Sequence, residues 1–208
     1  MDTPKKVRYF AWGLSGGVSL LSYYVWWQAY GGLPRLTIYQ LFPLFGLLAF
    51  SLMWSHYIAS VVRRYYGVDR AELRQYFEIT SLVVLAAILL HPGLLAYQLW
   101  IDGFGLPPGS EINYVRPDLR LWVVLGMVSL VVFLTFELHR KFGDRPWWRF
   151  VSYASDVAMV VIYFHGLRLG GQLQGGWFRY VWYFYGITLL GSLIYIRVIE
   201  PRYIDKKA

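Results

Sequence analysis

Four histidines are the residues of this sequence best suited to hold a metal or a prosthetic group: His56, His91, His139 and His165. Each lies within, or at the end of, a long apolar segment. An ionisable side chain inside a bilayer is costly, so each one marks a candidate functional site. A histidine in this setting can also simply donate a hydrogen bond to a neighbouring helix. The position of each histidine along its segment helps to distinguish a ligand from a hydrogen-bond donor between helices.

Two of these histidines occupy matched positions in the third and fifth apolar segments. At ~1.5 Å of rise per residue, His91 lies about 22 Å from Tyr76, the inner start of its segment. His165 lies about 25 Å from Trp148 by the same measure. Bis-histidine ligation of haem iron requires two imidazoles at one height on facing helices, in apolar surroundings. The pair meets the height requirement and predicts a haem-iron site in the outer half of the membrane.

The remaining two histidines do not match each other in height. His56 lies about 10 Å from the inner end of its segment. His139 lies at the membrane boundary, beside Arg140 and Lys141. Two alternatives stay open: a two-haem cytochrome b of the b561 type that uses all four histidines, and a haem-free transport or scaffold subunit whose histidines only bridge helices.

Arg168 follows His165 by three residues and so lies one turn further out on nearly the same helix face. Its guanidinium could hold a haem propionate through two hydrogen bonds. As an alternative, Arg168 is an interfacial arginine whose charge extends to the membrane surface. Both roles remain open from the sequence.

A candidate inner site for a quinone or a flavin lies near His56 and Glu78, in the other half of the membrane. Asp156 shares the depth of His56, which suggests a quinone or proton site. However, nine residues separate Asp156 from His165, so the two side chains point to opposite faces of one helix. For Asp156 we therefore favour structural pairing with another helix.

Six apolar segments must position these side chains, each near the ~20 residues that cross a ~30 Å hydrocarbon core. The sequence predicts an all-α integral membrane bundle of six helices in a single transmembrane domain over residues 1–208. Gly13 and Gly17, four residues apart in the first segment, predict a close helix contact there. The predicted segments cover about residues 9–30, 38–62, 76–99, 119–138, 147–167 and 178–196.

Composition supports this fold class. Hydrophobic residues make up 57% of the chain and charged residues only 15%, whereas soluble domains carry about 25% charged residues. These values exclude a soluble enzyme, a disordered tail and a nucleic-acid-binding module, so we expect membrane lipid around the protein and no nucleic-acid partner. The absence of cysteine excludes disulfides, iron–sulfur clusters and thiolate-ligated haem.

The basic residues orient the bundle. Most of the 20 Lys and Arg residues lie at the termini and in the loops on one side. The positive-inside rule then puts both termini in the cytoplasm of a multi-pass protein of the cell (inner) membrane. We expect no soluble catalytic domain in the loops. The opposite side carries Arg35, Arg116, Arg120, Arg168 and Arg179.

Two groups of motifs carry a resemblance to a known family. The first is Leu90-His91-Pro92-Gly93, with Arg63-Arg64 and Tyr66-Gly67 ahead of it, and the second is Lys141-Phe142-Gly143, Trp147-Trp148-Arg149, Tyr153 and Phe164-His165-Gly166. They resemble the third helix and the fourth-to-fifth-helix region of the ferric-reductase-like transmembrane domain family, and the resemblance covers about residues 40–170. This family includes ferric reductases, NADPH oxidase membrane domains, STEAP-type metalloreductases and the haem-binding membrane subunit of the bacterial methionine sulfoxide reductase system.

The resemblance implies one b-type haem rather than two. Two-haem members carry a further histidine thirteen or fourteen residues before each ligand, where this chain has Phe77 (or Glu78) and Ser152. His91 and His165 therefore correspond to the outer haem ligands, and the inner haem is absent, as in the STEAP type. The resemblance further implies a quinol or flavin as donor. It implies an Fe(III) chelate or a periplasmic oxidoreductase as acceptor. It leaves open whether the protein is a component of a transmembrane oxidoreductase, and whether its redox partner is periplasmic or cytoplasmic.

Overall fold

The computed structural model describes residues 2–31, 35–142 and 148–200, with side chains outside 137–149. Within these residues the regular secondary structure is helical throughout, so the prediction of an all-α fold is confirmed for this part of the chain. A π-helical turn, Tyr195–Ile199, continues the last helix. The helices are α1 (Thr3–Tyr30), α2 (Ile38–Tyr65), α3 (Arg74–Ile101), α4 (Gly109–Tyr114), α5 (Arg120–Phe142), α6 (Trp148–Leu169) and α7 (Phe178–Ile194).

Five helical stretches of the described chain are long and apolar enough to cross a membrane. They coincide with the second to sixth predicted segments, which is compatible with a helical membrane bundle. α1 is a helix of 28 residues but is not among these stretches, because its basic start, serines and glycines dilute its apolar residues. The stretches are Ile38–Tyr65, Arg70–Ile101, Pro117–Phe136, Phe150–Leu169 and Phe178–Ile199.

Polar side chains start the second helix and the turn before the third. A capping box between Thr37 and Gln40 starts α2, and these reciprocal bonds satisfy backbone groups of the first turn. Asp69 accepts a hydrogen bond from the Ala71 N–H at 2.8 Å in the 3₁₀ turn that leads into α3. α3 then continues through Pro92 without interruption. α2 and α3 extend beyond the predicted segments over residues 63–65 and 74–75, because hydropathy underestimates helix ends that carry polar residues.

Two helix hairpins form the centre of the fold. α2 packs chiefly against α3 and α1, and α5 packs chiefly against α6. Stacked aromatic rings join α7 to α2: Phe50 lies 4.3 Å from Trp182, and Trp54 lies 4.3 Å from Tyr185, between ring centroids. One histidine of the candidate haem pair lies on the second helix of each hairpin.

Buried hydroxyl groups attach α1 to this core. Ser15 Oγ lies 2.8 Å from Ser55 Oγ on α2 and 2.8 Å from Tyr76 Oη on α3. In lipid the hydrophobic effect does not drive helices together, and hydrogen bonds of this kind between helices contribute to their association instead. α1 is thus held by a polar cluster rather than by close glycine contacts.

The loop between α3 and α5 covers the first turn of α2. Tyr114 of α4 stacks on Tyr39 with ring centroids 5.6 Å apart and planes at 6°. Tyr39 Oη donates a hydrogen bond of 2.5 Å to Asp102. This loop therefore fixes the start of α2, which also supports one of the candidate histidines.

Candidate functional site

The imidazoles of His91 and His165 face each other across the gap between α3 and α6. Their ring centroids are 6.5 Å apart and the ring planes are inclined at 78°. Both residues are half-buried. The fold thus brings together the two residues that the height argument paired.

A backbone carbonyl orients each of the two rings. His91 Nδ1 donates to the carbonyl of Phe42 on α2 at 2.9 Å, and His165 Nδ1 donates to the carbonyl of Trp122 on α5 at 2.8 Å. A carbonyl can only accept, so the proton of each neutral ring lies on Nδ1 and the lone pair on Nε2. A histidine that ligates a metal through one nitrogen usually donates the other N–H to a carbonyl or carboxylate.

Two glycines make room for the rings. A Cβ built on Gly46 would lie 2.7 Å from His91 Cε1, and one built on Gly126 would lie 2.7 Å from His165 Cε1. Each glycine follows the acceptor carbonyl by four residues, so each faces the same helix neighbour as that carbonyl. The carbonyl–glycine pair therefore occurs twice, once in each hairpin. Neither pair was identified from the sequence, since a backbone carbonyl has no residue-type signal.

The spacing of the rings fits an imidazole–metal–imidazole unit. A metal–nitrogen bond of about 2.0 Å on each side, plus about 1 Å from nitrogen to ring centre, separates two centroids by about 6 Å. Within the described residues, no group of three or more His, Cys, Asp or Glu side chains could hold a metal ion. A two-imidazole site therefore suits iron whose other four ligands belong to a macrocycle, rather than zinc with four protein ligands.

Arg168 lies at the outer edge of this pair. Its side chain is exposed, and its guanidinium carbon lies 5.7 Å from the ring centroid of Trp122. Trp122 also provides the carbonyl that orients His165. Arg168 therefore lies next to the residue that orients a candidate ligand. This position agrees with a propionate-binding arginine and with an interfacial arginine.

A cavity of about 800 Å³ occupies the other half of the bundle. Its apolar end, at Ile88 and Met159, begins one to two helical turns from His91 and His165 along α3 and α6. Phe77 and Ser152 also line it, at the positions where two-haem members of the resembled family carry histidines. The two residues of the candidate inner site, His56 and Glu78, lie in its wall.

The inner candidates make contacts unlike those of the outer pair. His56 Nε2 lies 2.7 Å from Thr80 Oγ1 on α3, and its ring makes an edge contact with Phe77 at 5.4 Å. His56 thus bridges α2 and α3. Glu78 accepts a hydrogen bond from Arg74 at 2.7 Å at the exposed mouth of the cavity. His139 lies outside the residues whose side chains the structure describes.

Asp156 belongs to a half-buried network of polar side chains. It accepts hydrogen bonds from Tyr57 Oη at 2.8 Å and from Arg197 Nε at 2.7 Å. Arg197 also donates to Ser152 Oγ at 2.6 Å. The network joins α2, α6 and the π-helical turn, and it confirms the prediction that Asp156 pairs with another helix.

No family model, no curated protein and no solved structure matches this chain. Functional assignment therefore depends on the geometry of the site and on the residues that carry the resemblance described above.

Proposed function

We propose that this protein is a b-type haem-binding membrane electron-transfer protein in which His91 and His165 ligate one haem between α3 and α6. The observation that best supports this is the facing of the two imidazoles at 6.5 Å. Each Nδ1 is occupied by a carbonyl, which directs the lone pair of Nε2 to the ligand. The distance between the ring centroids and the tautomer of both rings therefore agree with an imidazole–iron–imidazole unit.

Haem supplies a one-electron carrier when it is bound. The chain supplies the two ligands and their orientation by the carbonyls of Phe42 and Trp122. Arg168 would pair with a propionate and place positive charge near the iron. The electronic properties of the haem would then depend on these groups.

The inner cavity supports a second step in the electron path. It begins one to two helical turns from His91 and His165 and reaches the basic end of the bundle. A quinol or a flavin held near His56 and Glu78 would carry electrons into the inner half of the bundle, and the cavity would give it a path along α3 and α6 towards the haem. The acceptor would be an Fe(III) chelate or a periplasmic oxidoreductase at the outer face of the cell membrane.

The decisive experiment is haem quantification. The purified protein, expressed with ample haem, should show a Soret band and one haem per polypeptide by pyridine haemochrome assay. His91→Ala and His165→Ala should each lose most of the haem, because the iron loses one of its two protein ligands. His56→Ala is the matched control and should retain full haem.

Other outcomes separate the alternatives. Two haems per chain, with loss of one in His56→Ala, would favour the two-haem cytochrome. A protein without a Soret band would favour a transport or scaffold subunit whose histidines only bridge helices. Full haem in both His91→Ala and His165→Ala would overturn the assignment of these ligands.

A further inference from the structure

The open end of the inner cavity is strongly basic. Four arginines line it: Arg63 and Arg64 at the end of α2, Arg70 in the following 3₁₀ turn and Arg74 at the start of α3. The chain reverses direction between α2 and α3, and this turn brings the four side chains around one opening. Such a concentration of guanidinium groups is typical of phosphate binding.

Internal ion pairs neutralise only part of this charge. Arg64 pairs with Glu200 and Arg74 pairs with Glu78. Within the described residues, Arg63 and Arg70 make no ion pair with a carboxylate, and Arg63 Nη1 donates instead to the carbonyl of Val68 at 3.0 Å.

Arg64 keeps part of its donor capacity unused. Its Nε is buried and has no hydrogen-bond partner among the described residues, while its side chain as a whole is 33% exposed and lines the cavity. The opening therefore has net positive charge that its described ion pairs do not neutralise.

The far end of the same cavity has the opposite character. Val84, Ile88, Phe133 and Met159 line it with apolar side chains. A ligand that fills the cavity must therefore combine an anionic head with an apolar body. The charge pattern puts the basic end at the cytoplasmic boundary of the membrane, where basic pockets between transmembrane helices bind lipid head groups.

We propose that Arg63, Arg64, Arg70 and Arg74 form a binding site for the phosphate of an amphiphile whose apolar body enters the inner cavity. An anionic phospholipid and a phosphate-bearing aromatic cofactor share this chemistry, and the position of the site at the membrane boundary favours the phospholipid. The site does not depend on haem ligation, so it can exist even if the proposed function is wrong. A phospholipid here would occupy the space proposed above for a quinol or a flavin, and the flavin arm of the test separates the two occupants.

The test compares ligands that differ in the net negative charge of the head group. Full-length protein in neutral detergent is titrated with dioleoylphosphatidylglycerol against dioleoylphosphatidylcholine, and with flavin mononucleotide against riboflavin. Binding is measured by native mass spectrometry for the lipids and by flavin fluorescence for the cofactors. We expect the phosphatidylglycerol to bind about tenfold more tightly than the phosphatidylcholine, since charge-assisted bonds to arginine distinguish the two head groups.

The double variant Arg63→Gln/Arg70→Gln should abolish this preference, because it removes the two arginines that form no ion pair with a carboxylate of the described residues. Arg63→Lys/Arg70→Lys should retain part of it, and so controls for folding. Arg35→Gln/Arg179→Gln removes the same number of charges at exposed positions far from the cavity and should leave the preference unchanged.

Each outcome decides the proposal. An arginine-dependent preference for flavin mononucleotide over riboflavin, with none between the lipids, would support the phosphate site and identify the cofactor as its source. Equal binding within both pairs of ligands, or a preference that survives Arg63→Gln/Arg70→Gln, would overturn it. The Soret band of the same variants reports haem separately, so failure here is distinct from failure of the proposed function.

Discussion

Gly46 lies directly against the imidazole of His91, so close that a Cβ on this glycine would be 2.7 Å from the ring's Cε1. Gly126 has the same relationship to His165. In each hairpin the ring also donates to the carbonyl four residues before its glycine. The two glycines therefore control whether the imidazoles can hold the orientation that a shared iron requires.

Gly46→Ala and Gly126→Ala should each lower the haem content of the purified protein severalfold. The added methyl group overlaps the ring and must rotate it away from its carbonyl, and overpacking of this kind costs about 1–3 kcal/mol. Pyridine haemochrome assay per polypeptide measures the loss. Gly93→Ala is the matched control, because it lies two residues from His91 on α3 and its Cβ would meet nothing within 4 Å. A haem content in Gly46→Ala equal to that of the wild type would show that Gly46 does not fix the His91 ring.

Arg168→Leu should lower the midpoint potential of the haem by on the order of tens of millivolts, because a nearby positive charge favours the ferrous over the ferric state. Arg168→Lys keeps the charge and should leave the potential nearly unchanged, although it loses the bidentate geometry. Redox titration of the α-band measures both. An unchanged potential in Arg168→Leu would return this residue to the role of an interfacial arginine.

Asp156→Asn should destabilise the protein without removing haem. Asp156 and Arg197 are 15% and 31% exposed at their side chains, so loss of one partner should cost less than the ~3–5 kcal/mol of a fully buried pair but more than a single neutral hydrogen bond. Tyr57→Phe removes a single hydrogen bond to the same carboxylate and should cost only about 1 kcal/mol. Thermal unfolding in detergent gives the order of the two effects. Equal stability of Asp156→Asn and the wild type would contradict a structural role for this pair.

The sequence predicted the helices well because apolar residues in long runs leave few alternatives to a helix. It underestimated the length of α2 and α3, since the ends of these helices carry polar residues such as Arg63 and Arg74. It also assigned close packing to Gly13 and Gly17, which was wrong. Both are exposed, and a Cβ on either would meet nothing within 4 Å. Glycine spacing alone does not indicate which face of a helix meets a neighbour.

For the site, residue type and height were enough to pair His91 with His165. Their supports could not be predicted, because the carbonyls of Phe42 and Trp122 act through the backbone and their positions depend on how the hairpins pack. The inner cavity could not be predicted from the sequence either. Its walls come from α2, α3, α5, α6 and the π-helical turn, and only the three-dimensional structure brings these residues together.

The last prediction concerns electron transfer across the membrane. Phe77 and Ser152 cannot ligate iron, and the cavity they line separates the proposed haem site from the basic end of the bundle. We expect purified protein in vesicles to fail to pass electrons from internal dithionite to an external Fe(III) chelate until a quinone or a flavin is added, since most of a ~30 Å core must be crossed without a carrier.

The control for this experiment is His165→Ala in the same vesicles, which should stay inactive after the carrier is added because the outer haem is missing. Insertion of the protein in the reverse orientation would place the outer site next to internal dithionite, so orientation is checked by protease access to the basic loops. Rapid transfer by the wild type without any added carrier would require a redox centre in the inner half. His56 would then be its first candidate ligand, because its ring lies in the cavity wall at the depth such a centre needs.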